Sequence, residues 1–298
     1  MDRMVRMKLG VLVVSTILLV GAWSVVGEVH STREDRVVLS SSGSVSERDI
    51  DFFWENAGVL AGFMLMPPHC EGCSDYGIVE VEDTVRTPPK ALKFYMLGPH
   101  LTNTTLSIAV RRNLKHPSEP DLPLLPSEIW VSQWRYVPRI PNEPLSWNTL
   151  GKYWSAVTNE LGQKVDLQIH IAALDGRGWL AGRVRTVNLV TGEVVEYHSW
   201  RGGEWHYDEW FRVMVGIKRD RVDGWIKWYY NDQLLSEVSG IPTIIGNDAK
   251  VWPYFSDYLT LYPETHPEQI HDIVTYMDDI VISDSYIPLD YGVLSSQG

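Results

Sequence analysis

The sequence predicts an all-β fold, an antiparallel β-sandwich or jelly roll, on three observations. Short runs of alternating apolar and polar residues recur along most of the chain, each closed by Pro, Gly, Asn or Asp. Few windows carry a helical period and no helices alternate with the strands, which argues against a parallel sheet. The 13 Trp outnumber the 6 Phe, and such rings both pack in a sandwich core and present an N–H.

With 298 residues, 44% of them hydrophobic, one large all-β domain has enough material for its core. The expected divisions are an export element at 1–27, a spacer at 28–48, the sandwich at 49–287 and a tail at 288–298. Arg3, Arg6 and Lys8 precede an apolar run from Leu9 to Val26, and Val25 and Gly27 are small residues suited to signal cleavage. Export is therefore expected, the protein ending up secreted or at the cell surface, with residues 9–26 either removed as a signal peptide or kept as an anchor. That segment is the only membrane contact expected. Cys70 and Cys73 lie close together in PHCEGC, so in an exported chain a small disulfide loop is the favoured reading. A net charge of -12 argues against nucleic acid as a partner.

The strands are expected in order. Lys90 to Leu97 and Leu106 to Arg112 read as an early pair, followed by Glu128 to Val137, in which Trp130, Trp134 and Tyr136 share one face and Gln133 and Arg135 the other. Residues 147–160 read as a short helix or irregular rim. Leu180 to Val190 and Glu193 to Trp200 form a hairpin about Thr191-Gly192. Then come Tyr207 to Lys218, Trp225 to Tyr230 and Gln233 to Val238, joined at Asp223-Gly224 and Asn231-Asp232. Lys250 to Tyr262 and Ile273 to Ser283 complete some ten to twelve strands.

The stretch with most chemical content is Val165 to Ala173, VDLQIHIAA. Val165, Leu167, Ile169 and Ile171 alternate with Asp166, Gln168 and His170, the pattern of a strand with one buried and one solvated face. Gln168 and His170 then project the same way, roughly 7 Å apart, and can act on one bound molecule.

Three segments resemble the jelly-roll polysaccharide lyases of the alginate lyase type. Ser127-Glu128-Ile129 resembles the centre of their Arg-Ser/Thr-Glu-Leu-Arg strand, and Gln168-Ile169-His170 equals their Gln-Ile/Val-His strand. Lys250 and Tyr254 keep the Lys-to-Tyr spacing of their Tyr-Phe-Lys-Ala-Gly-Val/Ile-Tyr-Asn-Gln strand. Pro126 and Trp130 replace the two arginines of the first motif, and Val251-Trp252-Pro253 replaces the small residues of the third. The run from Trp205 to Leu235, followed by Tyr276 to Ser283, is also similar to concanavalin-type jelly rolls, among them heparin-lyase and glucuronan-lyase relatives and laminin-G-like binding modules.

The resemblance implies cleavage of an acidic, uronate-containing polysaccharide by β-elimination. That chemistry needs a group that neutralises the carboxylate, a base for the C5 proton and an acid for the leaving oxygen. Gln168, His170 and Tyr254 are the expected catalytic residues. Lys250 would favour the tyrosinate, Arg135, Arg212 and Lys227 are candidate carboxylate contacts, and Trp225, Tyr229 and Tyr258 are candidate stacking platforms. No organic cofactor is expected. A structural Ca²⁺ at Asp278-Asp279 is the one metal the resemblance suggests. Two other readings stand beside the lyase: a non-catalytic carbohydrate-binding or adhesion module, and a glycoside hydrolase on a similar fold, which would need two suitably spaced carboxylates.

Overall fold

The computed structural model describes residues 53–56, 58–60, 63–69, 75–97, 106–114, 125–139, 148–158, 164–175, 179–245, 252–261, 272–289 and 291. The 1–27 segment, Cys70, Cys73 and Lys250 lie outside them. The described residues fall in one compact unit, Val45–Gly298.

The strands, in chain order, are β1 Phe53–Asn56, β2 Met64–His69, β3 Asp75–Val81, β4 Ala91–Leu97, β5 Leu106–Asn113, β6 Glu128–Tyr136, β7 Asn148–Thr158 and β8 Lys164–Asp175. They continue with β9 Trp179–Asn188, β10 Val194–Glu204, β11 Trp210–Lys218, β12 Gly224–Tyr230, β13 Gln233–Ile241, β14 Trp252–Leu261 and β15 Ile273–Ser283. No helix occurs among the described residues. One sheet runs β13-β12-β11-β6-β15-β4-β3, with β1 added beside β15, and the other runs β10-β9-β8-β7-β14-β5-β2. All pairings are antiparallel, as an all-β sandwich requires.

Alternation sorts the side chains between core and surface. Ile129 and Val131 of β6, Phe211, Val213, Val215 and Ile217 of β11, and Ile226 and Trp228 of β12 point inward from the first sheet. Ile108 and Val110 of β5, Tyr153 of β7, Leu167 and Ile169 of β8, and Val184 of β9 meet them from the second. This is one continuous core, the form in which an amphipathic sheet buries its apolar face. Hairpin chemistry agrees with the turn residues: Asn231 and Asp232 take φ of 44° and 65° between β12 and β13, and Gly192 takes 74° in the turn after β9.

Two expectations about the strands fail. The segment 147–160 is neither helix nor rim but the eleven-residue strand β7. Its register slips on both sides of Gly151, so Leu150 and Tyr153, three apart, both reach the core, and the period of two is broken where it would have been read. The expected pair at 90–97 and 106–112 does form as β4 and β5, but β4 pairs with β3 and β15 while β5 pairs with β2 and β14. The chain crosses between sheets there, which strand pattern alone cannot reveal.

One contact ties the two sheets together at the stretch singled out in the sequence. The Trp228 indole crosses the core from β12 and donates its Nε1–H to the backbone carbonyl of His170 at 2.7 Å. A register irregularity between Ile169 and Ala173 lies over that part of β8, and a carbonyl freed from a ladder inside a core needs a donor. His198 stacks on the same indole, with ring centroids 5.7 Å apart, and its Nε2 lies 3.0 Å from Ser236 Oγ. The Trp228→Phe substitution keeps an aromatic ring but removes that donor. It is expected to lower unfolding free energy by about 1–3 kcal/mol, measured by urea unfolding, whereas Trp225→Phe on the sheet's outer face should cost less.

Candidate functional site

The outer face of the second sheet, the one turned away from the core, carries the candidate site. Gln168 and His170 leave β8 on this face because Leu167, Ile169 and Ile171 take the inward positions. Register then supplies their neighbours. Trp154 of β7 lies opposite Gln168 and Lys152 opposite His170. On the other side Arg185 of β9 lies opposite Gln168, and Arg183, two residues earlier, reaches His170. Arg185 Nε donates to Gln168 Oε1 at 3.0 Å, and Arg183 Nε donates to His170 Nε2 at 3.2 Å.

The next strand extends these rows. Tyr254 of β14 occupies the position opposite Trp154, and Ser256 the position opposite Lys152. Tyr254, Trp154, Gln168 and Arg185 thus form one row across four strands, with Ser256, Lys152, His170 and Arg183 in the row beside it. Tyr258 follows on β14 opposite Ala109 of β5.

The electrostatics follow from burial first and from crowding cations second. Lys152 is buried, with its Nζ 4.9 Å from the centre of the Trp154 ring. Burial, and then the charges of Arg185 and Arg183, bring its ammonium down to a pKa of about 7, against a smaller opposing pull from Asp166. His170 is held well below the ordinary imidazole value by burial first and by Lys152, Arg183 and Arg185 after it. Its ring is therefore neutral at pH 7. Because Nε2 accepts from Arg183, the ring proton sits on Nδ1. Asp166, on the same face, is raised by burial.

The structure places the described residues of the expected site as follows. Gln168 and His170 do share a face, but they are buried rather than solvated, each capped by an arginine of β9. Of the three segments that carried the resemblance, Gln168-Ile169-His170 and the Tyr254 end of the third fall in this sheet, and Glu128-Ile129 falls in the other, at the start of β6.

The three cations expected to contact substrate lie elsewhere. Arg135 points into the core between the sheets and donates Nη2–H to the Leu150 carbonyl. Its burial lowers the guanidinium to about 9. Arg212 is buried on the outer face of the first sheet, donating to Ser132 Oγ at 2.7 Å and to Asp232 at 2.9 Å beside a cavity also lined by Trp134, Asp279 and Ile287. Lys227 pairs with Glu237 at 3.3 Å on that same far face. Trp225 and Tyr229 pack there against Trp130 and Ile287 rather than offering free stacking surfaces. The reason is the partition of strands: β6, β11 and β12 belong to the sheet opposite β8.

Asp278 does not fit a calcium site. Its carboxylate accepts the backbone N–H of Arg86 and of Thr87 at 3.0 Å each and that of Asp279 at 2.8 Å, and the Arg86 guanidinium pairs with Asp279. Ca²⁺ needs converging oxygens, and here donors converge instead. Among the described residues no three His, Cys, Asp or Glu come together as metal ligands.

Sequence reasoning passed over Arg183, Arg185, Lys152 and Trp154. The two arginines were within reach, since they alternate on the strand that follows Gln168 and His170, and the same period-two rule puts them on one face. Lys152 and Trp154 were hidden by the slip at Gly151.

Comparison with solved structures places the architecture. The chain superposes on an endo-β-1,4-glucuronan lyase from the fungus Trichoderma reesei with a TM-score of 0.59 and 12% identity, covering 78% of this chain and 95% of that one. An alginate lyase from Aplysia kurodai gives 0.49 at 10% identity over 78% and 98% of the two chains. One from a Chlorella virus gives 0.46 at 12% over 69% and 89%. At this identity the likeness is one of fold, an antiparallel β-sandwich shared with the glucuronan lyase. No protein-family model and no curated protein sequence matches the chain.

The buried bases make stability depend on pH. The Lys152 pKa is lower in the folded chain than unfolded, so between about pH 7 and pH 10.5 the unfolded state binds more protons and stability rises with pH. Its cost is present in full below pH 7. Lys152→Met should therefore raise the melting temperature at neutral pH and flatten that alkaline rise. For His170, also lowered, stability should fall as pH drops below 6.5, a loss that His170→Gln should reduce in thermal melts over an acid pH series.

Proposed function

We propose that this protein is a polysaccharide lyase that cleaves a uronate-containing chain by β-elimination on the outer face of the β10-β9-β8-β7-β14-β5-β2 sheet. The observation that carries the reading is the convergence of Arg183, Arg185 and Lys152 on Gln168 and His170, in a protein whose net charge is -12. A local cationic face in an acidic protein selects an anionic polymer. Support comes from the fold shared with a glucuronan lyase.

The chemistry assigns roles as follows. Arg185 and the Gln168 amide bind the uronate carboxylate and neutralise it, which acidifies the C5 proton. Lys152, with a pKa of about 7, is in part the free amine at neutral pH and takes that proton. As the C5–H bond breaks, its electron pair forms the C4=C5 double bond and the C4–O bond breaks. Tyr254, in the row of Gln168 and Trp154, protonates the departing oxygen. His170, neutral and accepting from Arg183, holds that arginine against the substrate. Trp154 offers a ring beside the reacting sugar.

Binding without cleavage is the second reading, favoured by the arginines that already cap Gln168 and His170. Export, expected from Arg3, Arg6, Lys8 and the run that follows, would bring the protein to such polymers.

Ultraviolet absorbance of the unsaturated uronate product tests the proposal on glucuronan, alginate and heparin-type chains. The wild type should generate it on at least one, and Arg185→Met and Lys152→Met should each lose about 10²- to 10³-fold in kcat/KM. The activity should also rise with pH through about 7 as Lys152 loses its proton. Binding in calorimetry with no product from any of the three polymers would select the second reading.

A further inference from the structure

Beyond the two rows that hold the chemistry, the same face continues along β9 to Trp179. Residues Trp179, Ala181, Arg183 and Arg185 alternate with the inward Leu180, Gly182 and Val184, so the indole stands on the face that bears the two arginines. Trp179 is 43% exposed, unusual for so large an apolar ring. Arg201 of β10, itself exposed, lies opposite Ala181, the small residue between Trp179 and Arg183. Opposite Trp179 stands exposed Glu204, an acceptor for sugar hydroxyls.

Resting on the lyase reading above, we infer that Trp179 and Arg201 form a second sugar subsite, which takes a further uronate residue of the same polymer. Four residues of strand separate Trp179 from Arg183, roughly 13 Å, so the sugar held there is not the one being cleaved. The indole stacks on its ring and Arg201 pairs with its carboxylate, with the small side chain of Ala181 between them in register. A polymer with an acid on both residues fits this layout, which favours a run of uronates over isolated ones.

The test compares short and long oligomers of glucuronan, alginate and a heparin-type chain, following affinity by calorimetry and product by absorbance. The long oligomer should bind the wild type more tightly than the short one. Trp179→Ala should remove that advantage, raising KM for the long oligomer about tenfold, with kcat on the short one unchanged and Trp179→Phe largely restoring the difference. Arg201→Gln should weaken the long acidic oligomer but not its carboxyl-reduced counterpart. A length advantage that survives in Trp179→Ala overturns the subsite and leaves the lyase reading standing. Failure of the wild type to bind or cleave either length overturns the lyase reading, and the subsite with it.

Discussion

The bond from the Trp228 indole to the His170 carbonyl is the constraint on which the site depends. Where register slips inside a core, backbone polar groups still need partners that bulk water cannot supply, and a donor brought from the opposite sheet is one way to meet that need. Trp228 is that donor. It reaches across because a large ring fills the space between the sheets while its N–H sits at the far edge. With the carbonyl held from within, the His170 side chain is held outward, against Arg183 and opposite Lys152. Core packing and site geometry meet in one residue.

The second feature is the price in charge. Arg183, Arg185 and Lys152 crowd around two neutral acceptors, and the lysine yields because an ammonium can lose its proton where a guanidinium does not. A fold that keeps such a cluster forgoes stability for a face that an anionic chain can complete. The far face of the sandwich solves the opposite problem. There Arg212, Asp232, Arg86, Asp278 and Asp279 meet partners of their own and anchor loops.

Much of this was legible in the sequence. Alternation marked β6, β8, β9, β11, β12 and β15 near their observed limits, and Asn231-Asp232 marked a hairpin whose positive φ angles favour those residue types. The pairing of Gln168 with His170 on one face followed from the strand period alone. What failed did so for local reasons: Gly151 disturbs the register of β7 and conceals Lys152 and Trp154, and β2, which holds two prolines, is not among the expected strands.

The sequence by itself determined most of the strands, the turns between them and which of their side chains share a face, because each of these depends on neighbours a few residues apart. It could not determine which sheet each strand joins. Arg135, Arg212 and Lys227 look like the arginine and lysine contacts a uronate needs, yet β6, β11 and β12 carry them to the core or the far side. In the proposed site Arg183 and Arg185 take their place, because β9 lies beside β8. That choice is made by burial of apolar faces across the sandwich, a long-range balance that no short window of sequence contains.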